Sequence, residues 1–257
     1  MFSGGTNDME YRKKMRPLWA MTNGSDLTSN SSARLDDAGA ERMVLTPFGR
    51  AGFRYGNAAA ACARGELQSY IAGVAVANIL SGSTTTAVTS GLTENAYQYD
   101  VLVITDVNAS AGASPEGHSA PIKSNSTTTI YLDVQNPLPA ALAVNDDCYV
   151  YSFCKCEDSA AGDSVSDVFG VAMADVSAGY WGWFQFDGVC PYALVRASTA
   201  LTADKAVIAH TARLDVSSTS GDELLLGTTL QGIGNTNDIV DDVFIVLLND
   251  LGHGRQI

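Results

Sequence analysis

Basic side chains are scarce: the 257-residue chain carries 15 Lys and Arg against 28 Asp and Glu, a formal charge of −13, and only three histidines. The deficit is uneven. Residues 1–64 hold nine Lys or Arg and six Asp or Glu, whereas residues 65–257 hold six and twenty-two. A slightly basic start therefore precedes a strongly acidic body, which repels nucleic acid and anionic membranes; neither is an expected partner. Long apolar runs are also missing. The longest, such as Val243–Leu248, have strand length and fall well short of the roughly 18–20 residues of a membrane helix. The opening stretch MFSGGTNDMEYRKKM has no apolar h-region, so no secretory signal peptide is expected and synthesis is placed in a cytoplasm. Missing too are the P-loop, the dinucleotide-binding G-x-G-x-x-G, the G-x-S-x-G elbow and H-E-x-x-H. No catalytic residue or cofactor is nominated, and the chain is not expected to be an enzyme.

The side chains that chemistry could use are few and scattered. His118, His210 and His253 lie far apart in sequence and read as turn or surface residues. Five cysteines (Cys62, Cys148, Cys154, Cys156, Cys190) make an odd set without a signal peptide, which favours free buried thiols over a disulfide framework. Cys154 and Cys156 are two apart, a spacing poor for a zinc knuckle, and no His stands near them, so no metal site is expected. The pairs Asp36/Asp37, Asp146/Asp147 and Asp241/Asp242 have the composition of a calcium site or of a glycosidase carboxylate pair. Each sits beside turn formers or a strand start, where Asp bonds the local backbone or keeps a sheet edge soluble.

What the chain does have is β pattern. The composition is 46% hydrophobic but only 17% charged, which excludes disorder. From about residue 49, short strand signals recur between Gly, Ser, Asn and Asp turns. In Thr127–Val134, Thr128, Ile130, Leu132 and Val134 line one face and alternate with Thr127, Thr129, Tyr131 and Asp133, as in a half-buried strand. Tyr99–Thr105 and Val243–Leu248 are apolar on both faces. Further strands are expected at Cys148–Phe153, Phe169–Val176, Tyr180–Asp187, Ala206–His210 and Glu223–Thr229. Helical signals are confined to the Ala-rich Ala58–Tyr70, which Gly65 interrupts, and a turn at Pro137–Leu142. The polar stretch Cys156–Asp167 reads as a linker. Residues 1–48 show no sustained period and read as an extended arm. The fold class is therefore all-β, with barrel or sandwich domains, an extended N-terminal arm and few or no long helices.

Aromatic side chains concentrate in Tyr180, Trp181, Trp183, Phe184 and Phe186. On a strand, Tyr180, Phe184 and Phe186 share one face with Gly182, and Trp181 and Trp183 share the other with Gln185 and Asp187. The first face fills a core or a subunit interface. The second suits packing, a protein partner, or stacking on a sugar.

Two blocks carry a resemblance. Phe169–Cys190, FGVAMADVSAGYWGWFQFDGVC, and Gly49–Leu67, GRAGFRYGNAAAACARGEL, resemble segments of tailed-bacteriophage head decoration, or capsid cement, proteins. His118–Leu142 is similar to their I-K-S-N and P-L-x-x-A-L stretch, and Ala200–Ala209 to their A-L-T-A-G-D-A pattern, with Asp204 and Lys205 in place of Gly-Asp. The resemblance implies a β-rich, non-catalytic protein on the outer surface of a virion capsid, a homotrimer bound where major capsid proteins meet. It also implies that the strand of Gly65–Leu67 pairs with that of Gly170–Ala172, making 73–152 an insertion. The expected organisation is an arm at 1–48, a discontinuous barrel at 49–72 plus 153–249, an inserted β-domain at 73–152 and a tail at 250–257. In the arm, Arg12, Lys13, Lys14 and Arg16, with Leu18 and Trp19, are the expected capsid-binding residues. A carbohydrate-binding virion adhesin using Trp181 and Trp183 is the alternative.

Overall fold

The computed structural model describes residues 30–36, 38–76, 79–107, 115–160, 167–196, 206–216, 226–230 and 241–248. They are all-β: seventeen strands fall in two sheets, and no helix occurs among the described residues. The chain divides into two compact units, one of residues 1–70 with 155–256, the other of 71–154.

The first unit holds ten strands: β1 (Glu41–Thr46), β2 (Gly49–Ala58), β3 (Leu67–Tyr70), β11 (Lys155–Asp158), β12 (Val168–Ala172), β13 (Trp181–Arg196), β14 (Ala206–His210), β15 (Arg213–Val216), β16 (Gly227–Thr229) and β17 (Asp241–Leu248). Their pairings close twice. β2, β11, β3, β12 and β13 form one ring, because β13 returns to β2; β13, β15, β14, β16 and β17 form a second, because β17 returns to β13. Closure leaves no open edge within either ring, and a barrel of so few strands is filled by its own side chains. Phe169, Phe184, Ala172 and Cys156 pack in the first ring, and Ala193, Val195, Val207, Leu214 and Val246 in the second. β3 and β12 pair antiparallel, with Val171 opposite Leu67.

Strand β13 is the element common to both rings. Trp181–Asp187 pairs with β2, and Gly188–Arg196 pairs with β17. The strand expected from sequence runs from Tyr180 to Asp187, before Gly188 and Pro191. Instead the chain bulges and continues. Gly188 takes φ +81°, and a Cβ there would collide with the backbone carbonyl of Arg50. A second register shift falls between Cys190 and Ala193, where Pro191 has no N–H to lose from the ladder.

Three sequence readings need correction. The arm expected to run to residue 48 already contains β1, which pairs with β2 from Glu41↔Arg54 to Thr46↔Gly49 through a two-residue hairpin turn. The three apolar residues Met43, Val44 and Leu45, of which Val44 is buried, were hidden in a polar neighbourhood. Ala58–Tyr70 holds no helix; it is the end of β2, a loop and β3. Gly65 turns that loop at φ +89°, against the carbonyl of Tyr192, where a side chain would not fit. The linker expected at 156–167 starts inside β11, which pairs with both β2 and β3; residues 161–166 lie outside the described residues.

The second unit is a seven-stranded sheet in the order β4 (Val74–Val76), β10 (Asp147–Tyr151), β7 (Val101–Asp106), β8 (Ser119–Asn125), β9 (Thr129–Leu132), β6 (Thr86–Val88), β5 (Ser81–Gly82). Here period-2 alternation is plain. Ala120, Ile122, Ile130, Leu132, Cys148 and Val150 are buried, while Ser119, Pro121, Lys123, Tyr131 and Tyr149 point outward. β8 bulges between Ile122 and Ser124, pairing with β7 before the bulge and β9 after it. Buried Asn125 is satisfied: its Nδ2 donates to Thr93 O (2.7 Å) and Ser126 O (3.0 Å), and its Oδ1 accepts from Tyr97 N (2.9 Å).

Candidate functional site

The aromatic group of β13 is brought together, and both its faces are covered. On one face Trp183 lies opposite Tyr55 and Trp181 opposite Asn57 of β2. The Tyr55 ring stacks on Trp181 at 5.6 Å between centroids and tilts against Trp183 at 5.0 Å. The Arg42 guanidinium sits 4.8 Å over Trp183 and is ion-paired with Asp36. Residues 30–36 form a strap here. Trp181 N donates to Ser31 O (2.8 Å), Ser31 N to Trp181 O (3.3 Å), Ser177 N to Asn30 Oδ1 (3.0 Å), and Leu35 N to the Tyr55 hydroxyl (3.1 Å). Burial is the main cause that raises the Tyr55 pKa above its ordinary value, so the hydroxyl stays protonated. Trp181 is 6% exposed and Trp183 2%. Both tryptophans pack within the described chain, and neither is offered as a platform for a sugar, the alternative weighed for that face.

The opposite face surrounds Arg54. It stands between Glu41 on β1 and Phe184 on β13. Its guanidinium lies 4.6 Å from the Phe186 ring centre, 5.4 Å from Phe169 and 5.5 Å from Tyr70. Nε and Nη2 donate to Glu41 Oε1 at 2.9 and 2.7 Å, and Nη1 donates to Phe169 O at 3.1 Å. Phe169 meets Phe184 and Tyr70 edge-on at 5.1 and 5.0 Å. Half-buried Tyr180 packs on the same cluster. Arg54 was not singled out from sequence, although it is the Arg of the F-R-Y stretch; a lone Arg between two aromatics on a strand with near-continuous burial is the signal that marks it.

Nucleophilic and metal chemistry find no support among the described residues. All five cysteines are free and buried. Burial, with nearby carboxylates adding to it, pushes Cys62 and Cys148 up to about 12; burial alone pushes Cys190 up to about 11. Such thiols are protonated at neutral pH and are poor nucleophiles. Cys154 Sγ faces Tyr99 O (3.9 Å) and Cys156 Sγ faces Asn57 O (3.6 Å), so the two neighbours in sequence serve separate surroundings. No group of three or more His, Cys, Asp or Glu is placed to hold a metal among the described residues. Asp146 Oδ2 caps a turn by accepting from Ala143 N at 2.8 Å, as the turn reading of the acid pairs expects. Arg12, Lys13, Lys14, Arg16, Leu18 and Trp19 lie outside the described residues, as do His253 and the tail. Among the described residues no helix is long and apolar enough to cross a membrane.

The second unit has an open depression of about 380 Å³, lined by Thr85, Thr86, Lys123, Ser124, Tyr131, Leu132 and Val134. Exposed apolar side chains on the first unit include Leu35 on the strap and Leu45 and Phe48 at the β1–β2 hairpin. No protein-family model, curated protein or solved structure matches the chain, so its classification rests on the fold described above: an all-β chain with two fused rings and a separate seven-stranded sheet.

Proposed function

We propose that this protein decorates and stabilises a bacteriophage capsid, binding the lattice of major capsid protein from outside as a homotrimer, without a catalytic role. One observation carries the reading. The two sequence blocks that resemble head decoration proteins, Gly49–Leu67 and Phe169–Cys190, are about 100 residues apart in sequence, yet β2, β3, β12 and β13 from them line up in a single closed ring. The meeting of the two motif blocks in one ring is what supports the reading. Leu45 and Phe48 at the β1–β2 hairpin and Leu35 on the strap are exposed apolar side chains of that unit that a protein partner could cover. The acidic remainder keeps such a particle surface soluble and free of nucleic acid.

The test is a phage lacking this protein. Its heads should lose resistance to heat and osmotic shock, and added protein should restore it. Location in the tail or baseplate, with heads of unchanged resistance, overturns the reading. The second reading, a carbohydrate-binding adhesin, draws no support from Trp181 and Trp183, which the chain covers itself.

A further inference from the structure

The depression on the second unit differs from the rest of that unit in charge. Residues 71–154 contain seven Asp or Glu and a single Lys or Arg, Lys123, and Lys123 lines the depression. Lys123 is exposed and forms no ion pair among the described residues, so its charge is open to a ligand. At Lys123 β8 changes partners, pairing with β7 up to Pro121 and with β9 from Ile122 on. The lysine stands at the β8 bulge, between Ile122 and Ser124, a device that re-aims a side chain.

Around it the surface is built for a small polar ring with an apolar face. Tyr131 is 44% exposed and lies between Thr86 on β6 and Ser124 on β8. The hydroxyls of Ser124 and Tyr131 form no hydrogen bond among the described residues. The Thr86 hydroxyl is held by Ser83 Oγ at 2.8 Å, and Thr85 by the same oxygen at 3.3 Å, which fixes their direction. Leu132 and Val134 supply the apolar lining. The volume lies within the roughly 300–1,000 Å³ of small-ligand sites.

We infer that this depression binds a carboxylate-bearing saccharide: the Tyr131 ring stacks on the C–H face of the sugar, the Lys123 ammonium meets its carboxylate, and Ser124, Thr86 and Thr85 bond its hydroxyls. The chemistry selects this class. A neutral sugar leaves the unit's one cation without a partner, and a simple anion leaves the ring and hydroxyls unused. The site is independent of the capsid reading, since a head protein and a tail protein can each carry it.

The intact protein is titrated with a trimer of α-1,4-linked galacturonic acid, with its methyl ester and with a tetraglutamate peptide, and binding is followed by NMR chemical shifts. Saturable binding of the acid form is expected. Methyl esterification or Lys123→Gln should weaken it about fivefold, the scale of one exposed ion pair, and Tyr131→Ala should remove it. Both variants alter exposed side chains, and an unchanged melting curve verifies that they fold. The inference is overturned if the acid trimer does not bind, if the ester binds equally well, if either variant binds like the parent, or if tetraglutamate binds as tightly as the sugar. Retention of Lys123→Gln on capsids, measured in parallel, reports on the decoration reading separately.

Discussion

Arg54 is enclosed by Tyr70, Phe169 and Phe186, yet the carboxylate that neutralises it, Glu41, is 40% exposed on β1. The two ends of this pair therefore respond differently to mutation. Arg54→Ala leaves a void among three rings and strips Phe169 O of its donor; we expect a loss of about 3 kcal/mol. Arg54→Lys should recover little, because an ammonium cannot donate twice to Glu41 and once to Phe169 O while lying flat against the rings. Glu41→Gln keeps an acceptor in a partly solvated position and should cost about 1 kcal/mol or less. Urea denaturation of the three variants checks the order; a Glu41→Gln loss as large as that of Arg54→Ala would mean that the pair, not the packing, dominates. Residue-scale features of this kind were half legible. Alternation along Tyr180–Asp187 assigns the correct side chains to each face, but it says nothing about what lies over a face. Packing, a protein partner and a sugar all stayed open for Trp181 and Trp183 because the covering groups, Tyr55, Arg42 and the Ser31–Leu35 strap, come from remote parts of the chain with no pattern pointing at them.

Strand β13 shows where local signals mislead about elements. In the second unit strand positions were legible: Thr127–Val134, with its period-2 pattern, contains β9, and Cys148–Phe153 overlaps β10, whereas Tyr99–Thr105, apolar on both faces in sequence, overlaps β7, of which Leu102 and Ile104 on one face are the buried pair. In the first unit β2 and β12 are buried on both faces, the inner by ring closure and the outer by other parts of the chain, so alternation fades and turn residues become the only punctuation. The strand expected at Tyr180–Asp187 stops short of Gly188 and Pro191, whereas these two let one strand serve two rings. Gly188 is then the position where β13 leaves β2 and joins β17. A Gly188→Ala chain must place a Cβ against the Arg50 carbonyl at positive φ, and neither backbone can retreat without breaking the β2–β13 ladder. The expected cost is about 2–4 kcal/mol, from strain and collision together. For a chain of this size that lowers the melting midpoint by roughly 4–16 °C. Thermal unfolding of the variant measures it. A midpoint within a degree of the parent would show that the bulge relaxes easily and that β13 is not the rigid spine of the unit.

For the whole molecule, the decisive question is where the arm ends and the body begins. Composition alone draws the line near residue 48, but β1 lies before it and supplies Glu41 to Arg54, Arg42 to Trp183 and the outer partner of β2. A truncation at 48 therefore removes part of the fold along with the arm, and weakened capsid binding by such a chain would not identify what binds. Removing residues 1–29 instead leaves the Asn30–Leu35 strap and β1 in place while deleting Arg12, Lys13, Lys14, Arg16, Leu18 and Trp19. On the decoration reading, the chain shortened by 29 residues should keep the parent melting midpoint and lose capsid binding, and the loss should shrink as salt rises and the contribution of the basic run is screened. The chain shortened by 48 residues should lose binding and also melt several degrees lower, since the guanidinium of Arg54 is left without its carboxylate among three aromatic rings. Co-sedimentation with capsids, paired with calorimetry, separates these outcomes. Binding by the shorter truncation at parental strength would move the capsid contact onto the body, to the exposed Leu35, Leu45 and Phe48 beside β1.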